Sequence, residues 1–173
     1  MFKEIVFITG QIFGIAPIVF GFLSFQAKSS KGILIWQIGV ALAFSLHYLM
    51  IGALTGMALN LVGAAKSVSY FIRDKMGKRG LFLPIFFAAV AIFTTVLTWQ
   101  GFYSIFLLTG LLINTLAFAL LTPQKVRYSM LIKAPVTFLY NAFVFSVAGM
   151  IYETIVFVSS VIGLVRYRQK EKA

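Results

Sequence analysis

The stretch LHYLMIGALTGMALN, residues 46–60, carries the only histidine of the chain, His47, and ends on an asparagine among apolar neighbours. Beginning 93 residues later, LYNAFVFSVAGMIYE, residues 139–153, repeats its layout: Leu46 meets Leu139, Ala53 meets Ser146, Gly56-Met57 meets Gly149-Met150, and Asn60 meets Glu153. The register runs on through Ser67-Val68 over Ser160-Val161 to Arg73 over Arg166. Polar groups at matched positions in otherwise apolar sequence, on either side of a short turn, read as one helical hairpin present twice.

Composition says where such hairpins live. The chain has 173 residues, of which 61% are hydrophobic and only 11% charged, and its mean hydropathy is +0.98. That leaves too little polar surface to coat a soluble globule, so the reading is an all-α integral membrane protein whose first partner is the lipid bilayer. A bilayer core of roughly 30 Å takes about 20 helical residues. Apolar runs at residues 5–25, 33–52, 56–72, 81–99, 103–121, 131–147 and 152–165 give seven spans. The first follows Lys3 but is long and lacks a small-x-small cleavage site, so it is read as retained.

The basic residues set the orientation. Lys28 and Lys31 follow span one; Arg73, Lys75, Lys78 and Arg79 follow span three; Lys125, Arg127 and Lys133 follow span five; Arg166, Arg168, Lys170 and Lys172 follow span seven. The alternate connections, at residues 53–55, 100–102 and 148–151, carry none. By the positive-inside rule the N-terminus lies outside and the C-terminus in the cytoplasm. The net charge of +11 is then a topology signal spread over four segments with no common face, which argues against nucleic acid as a partner. The duplicated hairpin with an odd span between its copies gives two three-helix repeats, residues 1–75 and 101–173, joined by a linker helix in residues 76–100. The extra span is what lets both repeats run in the same direction.

Span one ends in FLSFQAKSSKG and span five in ALLTPQKVRYS, so Gln26 and Gln124 follow comparable helices. A 3+1+3 arrangement with Pro123-Gln124 closing the first helix of a repeat resembles the PQ-loop superfamily, which includes the SWEET sugar transporters. HYLMIG…N in the first half and N…S…GM…E…R in the second resemble the YgjV family of bacterial inner membrane proteins over nearly the whole chain. That resemblance implies a bacterial inner-membrane location and a fold more firmly than an activity. Two departures from the SWEET-like pattern stand out: only Pro17 and Pro135 lie inside the relevant spans, and the first repeat has Phe25-Gln26 where the second has Pro123-Gln124.

With the turns placed near Leu54 and Val147, His47 and Asn60 fall at one depth, about 10 Å below the turn, and are expected to face each other. Asn141 and Glu153 fall at matching places in the second copy. Gly56, Asn60, Gly63 and Ser67 share one helical stripe, and Gly149, Glu153, Val156 and Ser160 share another. Candidate substrate-binding residues are therefore His47, Tyr48, Asn60, Ser67, Tyr140, Asn141, Glu153 and Ser160, and candidate hinge or gate residues are Pro17, Gln26, Pro123, Gln124 and Pro135. Each has a plainer reading beside it. Ser67 and Ser160 suit helix packing, His47 a structural hydrogen bond, and Glu153 a solvated helix start. Lys66 and Lys133 read as side chains snorkelling to the cytoplasmic interface.

Enzymatic chemistry finds little here. With no cysteine, one histidine and four acidic residues, thiolate metal sites and an HExxH zinc hydrolase are ruled out, and no carboxylate pair for acid–base work is evident. No metal and no cofactor is expected. The functional expectation is a carrier of a small polar solute working by alternating access, with a homo-oligomer left open. The competing expectation is a non-transporting scaffold or lipid- or partner-binding protein whose polar stripes only join helices. If His47, with an ordinary pKa near 6.5, shared a site with Glu153, that site would change charge in the pH range a bacterium meets.

Overall fold

A computed structural model of the protein describes residues 2–26, 30–76, 80–120 and 123–172. Among these there are eight helical segments and no strand: α1 (Phe2–Phe13), α2 (Ile15–Gln26), α3 (Ser30–Met50), α4 (Leu54–Lys75), α5 (Phe82–Leu97), α6 (Ser104–Leu120), α7 (Pro123–Phe143) and α8 (Val147–Lys172). α1 and α2 are one apolar rod broken at Gly14, so the segments make seven rods. The break follows from Pro17. Proline lacks an N–H and its ring crowds the carbonyl four residues back, that of Phe13. The chain relaxes at the next residue, where the Gly14 N–H is shared between the Gly10 and Gln11 carbonyls at 3.1 Å each. Pro135, by contrast, sits on the exposed face of an uninterrupted α7.

Two helices start earlier than hydropathy places them. α7 begins at Pro123 rather than residue 131, and α8 at Val147 rather than residue 152. Proline suits the first helical position, where no N–H is needed. Lys and Arg are good helix formers, so the polar segment around Lys125 and Arg127 is helix and not the expected loop. The turns accordingly sit near Gly52 and Phe145, a residue or two before Leu54 and Val147. The side chains of Gln26, Pro123 and Gln124 fall outside the described residues.

Six rods close a ring. α2 packs on α3, α3 on α4, α4 on α6, α6 on α7, α7 on α8, and α8 back on α2. α5 lies outside it against α4 and α6, which is why Phe82, Ile85, Phe93 and Val96 remain exposed, an apolar face suited to lipid. Inside the ring Val40, Phe44, Tyr48, Leu59, Leu107, Ala134, Tyr140, Tyr152 and Val156 form one buried cluster.

The α3–α4 and α7–α8 turns share their hydrogen bonds position for position. Ile51 N–H donates to His47 O, Gly52 to Leu49 O, Ala53 to Tyr48 O and Met57 to Ala53 O; Val144 donates to Tyr140 O, Phe145 to Ala142 O, Ser146 to Asn141 O and Met150 to Ser146 O. The pivot is left-handed in both, Gly52 at φ +79° and Phe145 at φ +53°.

Candidate functional site: an interior cavity beneath a sealed end

At the turn end of the ring, buried polar side chains bond to one another and to backbone carbonyls, while the Tyr140 hydroxyl is buried without a hydrogen-bond partner among the described residues. His47 is fully buried, with Nδ1 2.8 Å from Gly10 O and Nε2 2.7 Å from Ser146 Oγ. A carbonyl only accepts, so Nδ1 carries the proton, and in the neutral ring Nε2 accepts the Ser146 hydroxyl. One side chain thus ties span one, span two and the second turn together. Beside it the Tyr48 hydroxyl donates to Asn141 Oδ1 at 2.6 Å, and Asn141 Nδ2 donates to Thr137 O at 2.9 Å. Tyr48 and Asn141 occupy equivalent places 93 residues apart. Tyr140, also fully buried, meets Tyr48 edge to face.

Two glycines make room for this layer. A methyl group at Gly149 would overlap the Asn141 side chain, and one at Gly56 would lie 2.6 Å from the Tyr140 hydroxyl and 2.7 Å from Tyr48 Cγ. Their shared register, the strongest signal in the sequence, thus has a physical cause in close approach behind the tyrosines.

Each turn is capped by a glutamine distant in sequence. Gln100 Nε2 donates to Gly52 O at 2.9 Å while its Oε1 accepts Thr55 N–H at 3.1 Å. Gln11 Nε2 donates to Phe145 O at 2.7 Å while its Oε1 accepts Val147 N–H at 3.2 Å. Thr55 Oγ1 donates to Thr98 O and approaches Ser104 Oγ at 3.3 Å. Sequence reading passed over both glutamines, because an amide near a span end looks like ordinary solvated loop.

Beneath the layer lies a cavity of about 100 Å³ that runs from Tyr48 along α3 to Gln37, about 16 Å of helix. Its polar wall is Gln37, Asn60, Lys66, Ser67, Asn114, Lys133, Thr137 and Glu153; Phe44, Leu59, Leu107 and Tyr152 form the apolar part. Asn60 Nδ2 donates to Gly56 O at 2.8 Å, the Ser67 hydroxyl to Gly63 O at 2.9 Å, and the Thr137 hydroxyl to Lys133 O at 2.8 Å. Lys133 Nζ meets Glu153 Oε1 at 2.8 Å, with the two side chains 16% and 5% exposed. The other carboxylate oxygen, Oε2, is buried without a hydrogen-bond partner among the described residues. Lys66, 3% exposed, donates to Asn114 Oδ1.

Several expectations change here. Lys66 and Lys133 do not snorkel: α4 and α7 turn them into the ring, where Asn114 and Glu153 receive them. His47 and Asn60 do not face each other. Gly10 and Ser146 hold the ring of His47 in the sealed layer, while Asn60 borders the cavity below. His47 and Glu153 therefore do not form one titrating site. Of the candidate residues, Tyr48, Asn60, Ser67 and Glu153 line the cavity; His47, Tyr140 and Asn141 build the seal; Ser160 lies in neither, its hydroxyl donating to Val156 O at 2.8 Å. Glu153 is buried and paired rather than solvated. Asn114, Thr137 and Gln37 went unread, although each is a polar residue in an apolar run.

The chain belongs to the YgjV family of bacterial inner membrane proteins, whose family model matches residues 8–171. Comparison with curated proteins and with solved structures gives no match.

Proposed function

For this bacterial inner-membrane protein, we propose the role of a carrier that moves a small polar solute by alternating access. The observation that carries the proposal is the polar cavity inside the ring, shared by Asn60 and Glu153 and closed at one end by a buried hydrogen-bonded layer. Helix packing alone requires no such arrangement. A scaffold would seal its polar groups pairwise against neighbouring helices, whereas here Glu153 Oε2 is buried without a partner among the described residues.

The architecture we propose with it is a 3+1+3 arrangement of the PQ-loop and SWEET-like type, residues 1–75 and 101–173 flanking a linker helix in residues 76–100. Three observations support it. The two turns match bond for bond at a 93-residue offset. α4 packs on α6 as α8 packs on α2. Tyr48 bonds to its own equivalent, Asn141, and a contact between equivalent residues forms only near an axis relating the halves. With the N-terminus outside and the C-terminus cytoplasmic, the sealed end faces outward and the cavity lies toward the cytoplasm. Transport then breaks the His47–Ser146 and Tyr48–Asn141 bonds as the halves rock, with span one bending at Gly14. Partners in this scheme are the lipid bilayer and the solute, and no catalytic step is involved.

The test is uptake by vesicles containing the purified protein, screened over neutral and charged metabolites. The proposal expects at least one solute to enter faster than into protein-free vesicles, and Asn60→Leu to abolish that difference. Entry of no solute above the protein-free rate would contradict it.

A further inference from the structure

The charges inside the ring do not balance. The whole chain has four acidic residues: Glu4, Asp74, Glu153 and Glu171. Glu4 opens α1, Glu171 closes α8, and Asp74 lies two turns beyond Lys66 on the same helix, about 12 Å further along it. Among the described residues Glu153 is the acidic side chain that lines the cavity, and Lys133 pairs with one of its oxygens at 2.8 Å. Lys66 lines the same cavity, and the hydrogen-bond partner of its ammonium there is the amide oxygen of Asn114. Among the described residues, one ion pair and one further ammonium line the cavity, so with Lys66 protonated their sum is +1.

An uncompensated ammonium in the membrane interior is costly, and burial among apolar side chains does nothing to relieve it. An asparagine carbonyl orients such a group without cancelling its charge. An anion that enters the cavity does cancel it, and it meets further groups suited to a small acid. Glu153 Oε2 is buried without a donor among the described residues, so it accepts a hydroxyl from the ligand, while the carboxylate's own charge keeps a second carboxylate toward Lys66. The volume of about 100 Å³ restricts the ligand to a few heavy atoms.

We infer that the cavity binds a small hydroxycarboxylate monoanion, with Lys66 as its counter-ion and Glu153 accepting its hydroxyl. This rests on the carrier reading of the cavity and names the solute class.

The test measures thermal unfolding of the purified full chain in detergent, at constant ionic strength, with glycolate and lactate against their uncharged amides, glycolamide and lactamide. The inference expects saturable stabilisation by an acid and none by its amide. Lys66→Gln should raise the half-saturating concentration by about tenfold or more, the worth of one charge-assisted hydrogen bond, and Lys66→Arg should retain most of the effect. Equal stabilisation by acid and amide, stabilisation by neither, or an unchanged response in Lys66→Gln would overturn it. The acid–amide comparison needs no variant, so it decides even if Lys66→Gln fails to fold. Vesicle uptake of glycolate separates the two readings. Binding without uptake supports the anion site and removes the carrier; uptake of a neutral solute without acid binding removes the anion site and leaves the carrier.

Discussion

The two hairpins of this protein share a backbone and differ in chemistry. Their turns make the same hydrogen bonds around a left-handed residue, yet that residue is Gly52 in one and Phe145 in the other. Below the turns the divergence grows: Asn60, Val40, Leu59 and Phe44 of the first half stand where the second has Glu153, Lys133, Tyr152 and Thr137. The first half holds Lys66 on α4, and the amide oxygen of Asn114 in the second receives it. The turn geometry is thus shared and the polar contents below it are not, which suits the asymmetric solute that the proposed carrier would recognise.

The largest predicted effect breaks the feature that only the second half possesses. Glu153→Gln leaves the half-buried Lys133 without its counter-charge, and Lys133→Met strands the buried Glu153 likewise. Each should lower stability by about 3–5 kcal/mol, whereas Lys133→Met with Glu153→Gln together should recover most of the loss. Unfolding of the three variants in detergent checks this, and simple additivity of the single losses would remove the pair from the account. The matching change in the first half, Asn60→Leu, should cost far less, since only a bond to Gly56 O is lost.

A middle-sized effect tests where the halves agree. Gly56→Ala and Gly149→Ala each drive a methyl group into the tyrosine–asparagine layer, and overpacking of this kind costs about 1–3 kcal/mol. Comparable losses in the two variants would sharpen the equivalence of the hairpins. If one proved neutral, the halves would differ in their seal as well as in their cavity.

How much of this was legible beforehand depends on what each residue answers to. Gly56 and Gly149 announce themselves because close approach forbids any other residue, and Asn60 and Glu153 because the register carries them along. The two lysines misled. Depth alone, counted along a helix, makes Lys66 and Lys133 snorkellers; which way they point is decided by the order of rods around the ring, a tertiary property that no local pattern contains. His47 was placed at the right depth and given the wrong neighbour, because the broken first span brings Gly10 against it. The caps Gln11 and Gln100 are distant in sequence from the turns they bond, so neither local sequence nor the repeat points to them.

The smallest effects return to the turns. An L-residue in the left-handed region costs about 1–2 kcal/mol, and glycine escapes that cost. Nothing lies within 4 Å of a methyl group added at Gly52, so Gly52→Ala should destabilise by about 1 kcal/mol through backbone strain alone. Phe145, 73% exposed, carries the same strain, and Phe145→Gly should raise stability by up to about 1 kcal/mol. Opposite signs at these two positions, read from the same unfolding curves, would confirm that one turn geometry is imposed on two different residues.

The central proposal is that the ring encloses a wet cavity reached from the end opposite the turns and shut at the turns. The protein contains no cysteine, so Ser67→Cys places a single thiol on the cavity wall. Its reaction with a membrane-impermeant maleimide can be followed in oriented inside-out and right-side-out vesicles. With the proposed topology, the account predicts labelling from the cytoplasmic face and protection from the opposite face in the absence of solute. Protection from both faces would mean a dry packing seam, and labelling from the turn face would place the seal at the wrong end; either result would contradict the account.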